Sequence, residues 1–243
     1  MTDPDGSRVM RGTLPFTLDV AYELVVPSSP PPSAGHPVVL VLHGFGEDGR
    51  RMRERFTPLV DSGMAVLAPD GPYPVEMRPK TTDESARIGR AWYQFTGDQE
   101  AFIAACATSA AHLARVLDAA AAAKRLDRDN VVLVGYSQGG YLAGVWALSE
   151  PSRFRALVAI ACRIKTEVFP PEALAAAKHL AVLAIHGTAD VQVRAEPQRA
   201  AIEALRARGF AAELELHDGG HGLRREVVAA VYDFVVQLPR FLA

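Results

Sequence analysis

Five short apolar runs recur along the chain, and they constrain its fold more than any other feature. They are "VVLVLH" (38–43), "MAVLAP" (64–69), "NVVLVG" (130–135), "ALVAIA" (156–161) and "LAVLAIH" (180–186). Each lacks polar alternation, and valine or isoleucine occurs in all of them. A strand with one wet face alternates, whereas a strand buried on both faces reads as continuous apolar sequence. Helical patterns lie between the runs: "RMRERFTPLVDS" (51–62), "DQEAFIAACATSAAHLARVLDAAAAAKR" (98–125), "QGGYLAGVWALS" (138–149) and "EPQRAAIEALRARG" (196–209). The second opens on an aspartate and ends on basic residues, and the fourth has proline in its first turn and glycine at its end. A strand "FAAELEL" (210–216) and a helix "REVVAAVYDFVVQL" (225–238) follow, and "FTLDVAYELVV" (16–26) alternates like a half-buried strand. Buried strands alternating with helices predict an α/β fold, a mostly parallel central sheet with helices on both faces. No linker divides residues 1–243, so one domain is expected. The stretch "PSSPPPSAGHP" (27–37) is expected to be a proline-rich surface loop.

The rest of the composition narrows the partners. A formal net charge of −2 points to neither nucleic acid nor an anionic membrane surface. No apolar run approaches the roughly 18 residues of a membrane span, and the start, "MTDPDGSRVMRG", has no apolar core of a secretory signal. Cys106 and Cys162 form no CxxC pair and no metal-ligand spacing, and both sit in apolar surroundings. They read as small buried hydrophobes of a reducing, cytoplasmic setting. The excess of arginine over lysine and the abundant alanine fit a GC-rich bacterial genome.

In sheets of this kind ligands bind beyond the carboxyl ends of the strands. "VGYSQGG" (134–140) lies at such an end, where a buried run meets a helical pattern. The spacing Gly135-Tyr136-Ser137-Gln138-Gly139 is G-x-S-x-G. A nucleophilic serine needs this sharp strand-to-helix turn to lift its hydroxyl out of the sheet, and small neighbours because strand and helix pass closely. The alternative is a serine that merely caps a helix. Such an elbow takes its acid and then its histidine from later in the chain. His36, His43 and His112 precede Ser137. His179 lies at the amino end of a strand, and His186 comes before any suitable acid. His221, in the glycine-rich "DGGHG" loop, is the preferred base, with His217 second. Asp190, in "HGTADVQV", is the preferred acid. Glu196 fits better in the first turn of the next helix, and Asp218 lies too near His221 in sequence. Two backbone donors complete the set: the N–H of Gln138, and that of Phe45 in "HGFGEDG" (43–49), where His43 is expected to bond backbone.

"LHGFGEDG", "RAWYQF", "GYSQGGYLAG", "HGTADVQV" and "DGGHGL" occur in the order seen in the phospholipase/carboxylesterase family of α/β hydrolases, which includes acyl-protein thioesterases and small bacterial carboxylesterases. The chain resembles that family from about residue 38 onward. The resemblance implies the α/β-hydrolase fold, no cofactor, no metal, and hydrolysis of esters or thioesters through an acyl-enzyme. It places the triad at Ser137, Asp190 and His221, with oxyanion donors at Phe45 and Gln138. Trp92 is expected to line the acyl pocket, with Tyr136, Val191 and Arg90 also near substrate. Arg87 and Arg90 otherwise read as solvated loop residues. Gln94 stands where the family often has aspartate, after a long charged stretch (75–90).

About 20 residues separate the runs at 156–161 and 180–186, too few for a large cap domain. An open site covered by the loop 71–98 and taking small or medium acyl groups is therefore expected. The partner is a small-molecule ester or thioester, and a homodimer is compatible with the sequence. Rival readings are dienelactone-type hydrolysis, peptide cleavage, polyester depolymerisation, or a non-catalytic binding scaffold. A cysteine nucleophile would favour the first of these, and Ser137 speaks against it.

Overall fold

The computed structural model describes residues 12–14, 17–78 and 85–241. In chain order its elements are β1 (Tyr22–Val25), β2 (His36–Leu42), α1 (Gly49–Phe56), β3 (Ala65–Pro69), β4 (Tyr73–Met77), β5 (Arg87–Ala91), α2 (Gln99–Lys124), β6 (Leu126–Tyr136), α3 (Gln138–Ser149), β7 (Ala156–Ile160), α4 (Pro171–Ala176), β8 (Ala181–Gly187), α5 (Ala195–Ala207), β9 (Ala212–His217) and α6 (Arg225–Phe241). Seven strands form one sheet in the order β1-β3-β2-β6-β7-β8-β9. Only β1 runs antiparallel to its neighbour.

The apolar runs form this sheet because each feeds two cores at once. Val39, Val41, Val132, Val134, Val158 and Ile185 point to one face, against Met52 and Phe56 of α1 and Val231 of α6. Their alternates, among them Leu40, Leu133, Leu157 and Val182, point to the other. There they meet Leu113 and Leu117 of α2, Leu142 and Trp146 of α3, and Ile202 of α5. A period of two inside an unbroken apolar run thus divides it between the faces. Two of the helices, α1 and α2, start where the sequence supplies an acceptor. Asp48 accepts from the Arg51 N–H at 2.9 Å, and Asp98 from the N–H groups of Glu100 and Ala101.

Several boundaries differ from expectation. Among the described residues, the strand expected over 16–26 forms only at Tyr22–Val25, because its neighbour β3 ends at Pro69, opposite Tyr22; residue 16 lies outside the described ones. The helix expected over 51–62 is α1 followed by a 3₁₀ segment, Thr57–Ser62. Pro58 has no N–H with which to continue the α-helical ladder. The proline-rich loop stops at Gly35, since His36 already pairs with Leu126. Pro37 donates nothing, and the register shifts between His36 and Val38. The stretch 71–98, expected as a loop, contains a two-stranded antiparallel ribbon, β4–β5, which its charged sequence conceals. Its residues 79–84 lie outside the described ones. Between β7 and β8 stand only a 3₁₀ turn (Thr166–Val168) and the short α4, so no large cap domain enters there.

Candidate active site

β6 carries the chain to Tyr136, and α3 begins at Gln138. Ser137 between them has φ 51° and ψ −116°, a conformation that costs a non-glycine residue about 1–3 kcal/mol. Its N–H is tied to the Ile160 carbonyl at 2.8 Å. The glycines on either side are required by space. A Cβ at Gly135 would lie 2.4 Å from the Gly139 oxygen, and one at Gly139 would lie 2.5 Å from the His43 oxygen.

Residues from three loops converge on this hydroxyl. His221 Nε2 lies 2.8 Å from Ser137 Oγ, and His221 Nδ1 lies 2.7 Å from Asp190 Oδ2. The ionised Asp190 can only accept, so Nδ1 carries the proton and Nε2 is left to accept from the serine. The other carboxylate oxygen accepts from the N–H groups of Gln192 and Val193, each at 2.9 Å. Burial works against ionisation of Asp190. The hydrogen bonds from Val193, His221 and Gln192 outweigh it and hold the carboxyl below its ordinary range. The Tyr136 phenol donates to the His221 carbonyl at 2.8 Å and anchors that loop. His217, the second choice for base, has a buried Nδ1 with no hydrogen-bond partner among the described residues. His179 lies elsewhere, against the Ala176 and Pro151 carbonyls.

The loop after β2 reaches the same place. His43 donates from Nδ1 to the Gly44 carbonyl at 2.8 Å and accepts at Nε2 from the Gly71 N–H at 2.8 Å. The ribbon braces this loop: the Gly46 N–H donates to Arg90 O and the Arg90 N–H to Glu47 O, both at 2.8 Å. The Arg87 guanidinium adds a bond to Gly46 O. The Phe45 N–H has no acceptor among the described residues. That of Gln138 sits in the first helical turn, which has no intrahelical acceptor for it.

Some expected substrate contacts are not where the sequence suggested. Trp92 is fully buried, with its indole N–H on His43 O at 2.8 Å. It therefore packs in the core and is not part of the lining of the cavity beside Ser137. Arg90 turns its side chain to Asp70, 3.4 Å away, and does not border the cavity beside Ser137. Gln94 is exposed, as is Val191 beside Asp190. The Gln138 side chain, for which no role was foreseen, accepts from the Trp92 N–H and donates to the Tyr93 carbonyl, each at 2.9 Å.

A cavity of about 400 Å³ opens at Ser137 and Gln138. Tyr93, Phe95, Phe102 and Tyr141 form its aromatic walls, and Arg163 and Lys165 border it. Of these, Tyr93 and Phe95 lie in "RAWYQF" and Tyr141 in "GYSQGGYLAG", but none of the six was expected from the sequence to have a substrate role. Two signals were nonetheless present. Tyr141 is four residues after Ser137 and so shares its helix face. Arg163 and Lys165 follow β7, at the sheet edge where ligands bind. Grooves of about 680 and 760 Å³ elsewhere border α6 and β1 and do not touch Ser137. Among the described residues no helix is long and apolar enough to cross a membrane.

The phospholipase/carboxylesterase family model matches residues 23–238, nearly the whole chain. The chain belongs to that family. A relative from Nocardia uniformis subsp. tsuyamanensis, named "Putative esterase NocK", is 28% identical over 183 residues. The match covers 70% of this chain and 45% of that protein, so the chain spans about half the length of that relative. Among solved structures, esterase PE8 superposes with a TM-score of 0.72 at 24% identity, over 91% of this chain and 100% of that one. The Bacillus cereus carboxylesterase does so with a TM-score of 0.70 at 18% identity, over 90% and 94%. Both share the α/β-hydrolase fold with this family member.

Proposed function

We propose that the chain hydrolyses carboxylic esters, or the corresponding thioesters, through an acyl-enzyme on Ser137. The observation that carries this reading is the pair of contacts at 2.8 and 2.7 Å linking Ser137 to His221 and His221 to Asp190, in the order nucleophile, base and orienting acid. His221 takes the hydroxyl proton as Ser137 Oγ attacks the carbonyl carbon. Asp190 holds the imidazole in the required tautomer and stabilises the imidazolium that forms. The N–H groups of Phe45 and Gln138 receive the developing oxyanion. His221 then gives its proton to the leaving alcohol or thiol, and water, activated in the same way, releases the acid. The cavity stands at the small end of the roughly 300–1,000 Å³ spanned by ligand pockets, which favours small to medium acyl groups.

Hydrolysis of p-nitrophenyl esters of increasing acyl length tests the reading, with Ser137→Ala beside the parent chain. Turnover of the shorter esters is expected, falling by about 10⁴-fold or more in the variant. Equal rates in the two proteins would remove Ser137 from the chemistry. An optimum at long acyl chains would contradict the size of the cavity.

A further inference from the structure

The cavity at Ser137 is apolar along its length but cationic at one border. Phe95 and Phe102 face each other edge to face, with ring centroids 5.9 Å apart, and Tyr93 meets Phe102 at 5.1 Å. The Lys165 ammonium lies over this group, 4.9 Å from the Phe102 centroid and 5.9 Å from that of Phe95. Lys165 has three N–H donors, and the Gln99 side-chain oxygen takes one. No carboxylate lies within ion-pair distance of Lys165 among the described residues. Glu167, the carboxylate nearby, is held by Arg163 at 2.6 Å. Cys106 adds no negative charge, since burial pushes its thiol up to about 12. Arg163, Lys165 and Glu167 therefore leave one positive charge uncompensated beside the reacting serine. A hydrophobic ester would gain from the rings alone and would leave that charge unanswered.

We propose that the substrate arm seated in this cavity is an aryl or short alkyl chain ending in a carboxylate, which Lys165 binds with Arg163 beside it. The inference rests on the serine-hydrolase reading and specifies its substrate class. The aromatic walls hold the chain, and the two unspent ammonium donors hold the anion. Burial, followed by the Arg163 charge, pulls the Lys165 ammonium below its usual range, and an anion in the cavity would offset both effects.

Matched esters test this. In one pair, ethyl hexanoate and monoethyl adipate, a carboxylate replaces a methyl group in the acid part. In the other, 4-methylphenyl acetate and 4-acetoxybenzoate, it does so in the alcohol part. Each rate is divided by that of hydroxide on the same ester. In at least one pair kcat/KM should favour the anion by about tenfold, the scale of one charge-assisted hydrogen bond, and mostly through KM. Lys165→Gln should bring that ratio to about one, and Lys165→Glu should take it lower still. The proposal is overturned if neither pair favours the anion, or if the preference survives both substitutions. Turnover of the neutral esters would in that case leave the serine-hydrolase reading standing. Should none of these esters turn over, that reading fails and the proposal falls with it.

Discussion

The two sides of the cavity are built by different means. At the elbow, position is set by backbone. Ser137 is pinned to Ile160, Asp190 accepts two main-chain N–H groups, and Tyr136 and His43 bond carbonyls of the loops they brace. The far wall is made of side chains alone: Phe95 is 60% exposed, and Lys165 rests on two rings and one amide. A chemistry common to many substrates requires fixed atoms. Discrimination among substrates needs only side chains that can be exchanged without disturbing them. Gln138 joins the two sides, with its backbone in the elbow and its side chain on Trp92 and Tyr93.

Three substitutions probe that contrast, and their expected effects fall in order. Gly139→Ala should act hardest. Its Cβ meets the His43 and Leu42 oxygens, so strand or helix must shift, and a displacement of about 1 Å can cost about 100-fold in kcat. Steady-state kinetics with unchanged kcat would show that the elbow is less tightly set than its backbone contacts imply. Gln138→Ala should come next. It leaves the donor N–H in place but strips the Trp92 N–H of its acceptor, at a cost of about 1–3 kcal/mol in urea unfolding. KM should rise more than kcat falls, because the wall that loosens is the one that grips. Phe95→Ala should be the mildest, within about 0.5 kcal/mol of the parent in stability because the ring is largely exposed. Its effect should be confined to KM for esters that reach the ring. A large drop in kcat there would erase the distinction between the two sides.

The same contrast explains what could be read in advance. The elbow was legible because a strained turn and close backbone approach permit few residue types, and glycines at 135 and 139 announce them. The sheet was legible because a doubly buried strand must be apolar throughout. Phe95, Phe102 and Lys165 gave no comparable signal. They come from three separate segments, and any one alone is an ordinary aromatic or basic residue. Trp92 misled for a related reason: a large amphipathic ring in a stretch that resembles a family motif suits a pocket or a core, and here the acceptor for its indole N–H is a buried carbonyl. The ribbon escaped notice because its strands are only five residues each, exposed or half-buried at most positions, and carry charges and a glycine where the buried strands are apolar throughout.

The imidazole of His43 uses both nitrogens, one to give a proton and one to receive. The second role belongs to the uncharged ring alone, because a protonated Nε2 would face the Gly71 N–H as donor against donor. Burial accordingly lowers its pKa from the ordinary 6.5. A group depressed in this way contributes stability that is complete above its unfolded value and drains away as the pH falls through the folded one. Mild acid should therefore slacken the segment that presents the Phe45 N–H before it disturbs the sheet, and amide exchange at Gly71 between pH 7 and 5 would register it. Unchanged protection there would mean that the ring keeps its proton out by means other than this bond. The proposed donor to the oxyanion, some distance along the chain from the proposed catalytic histidine, would thus carry a pH limit of its own.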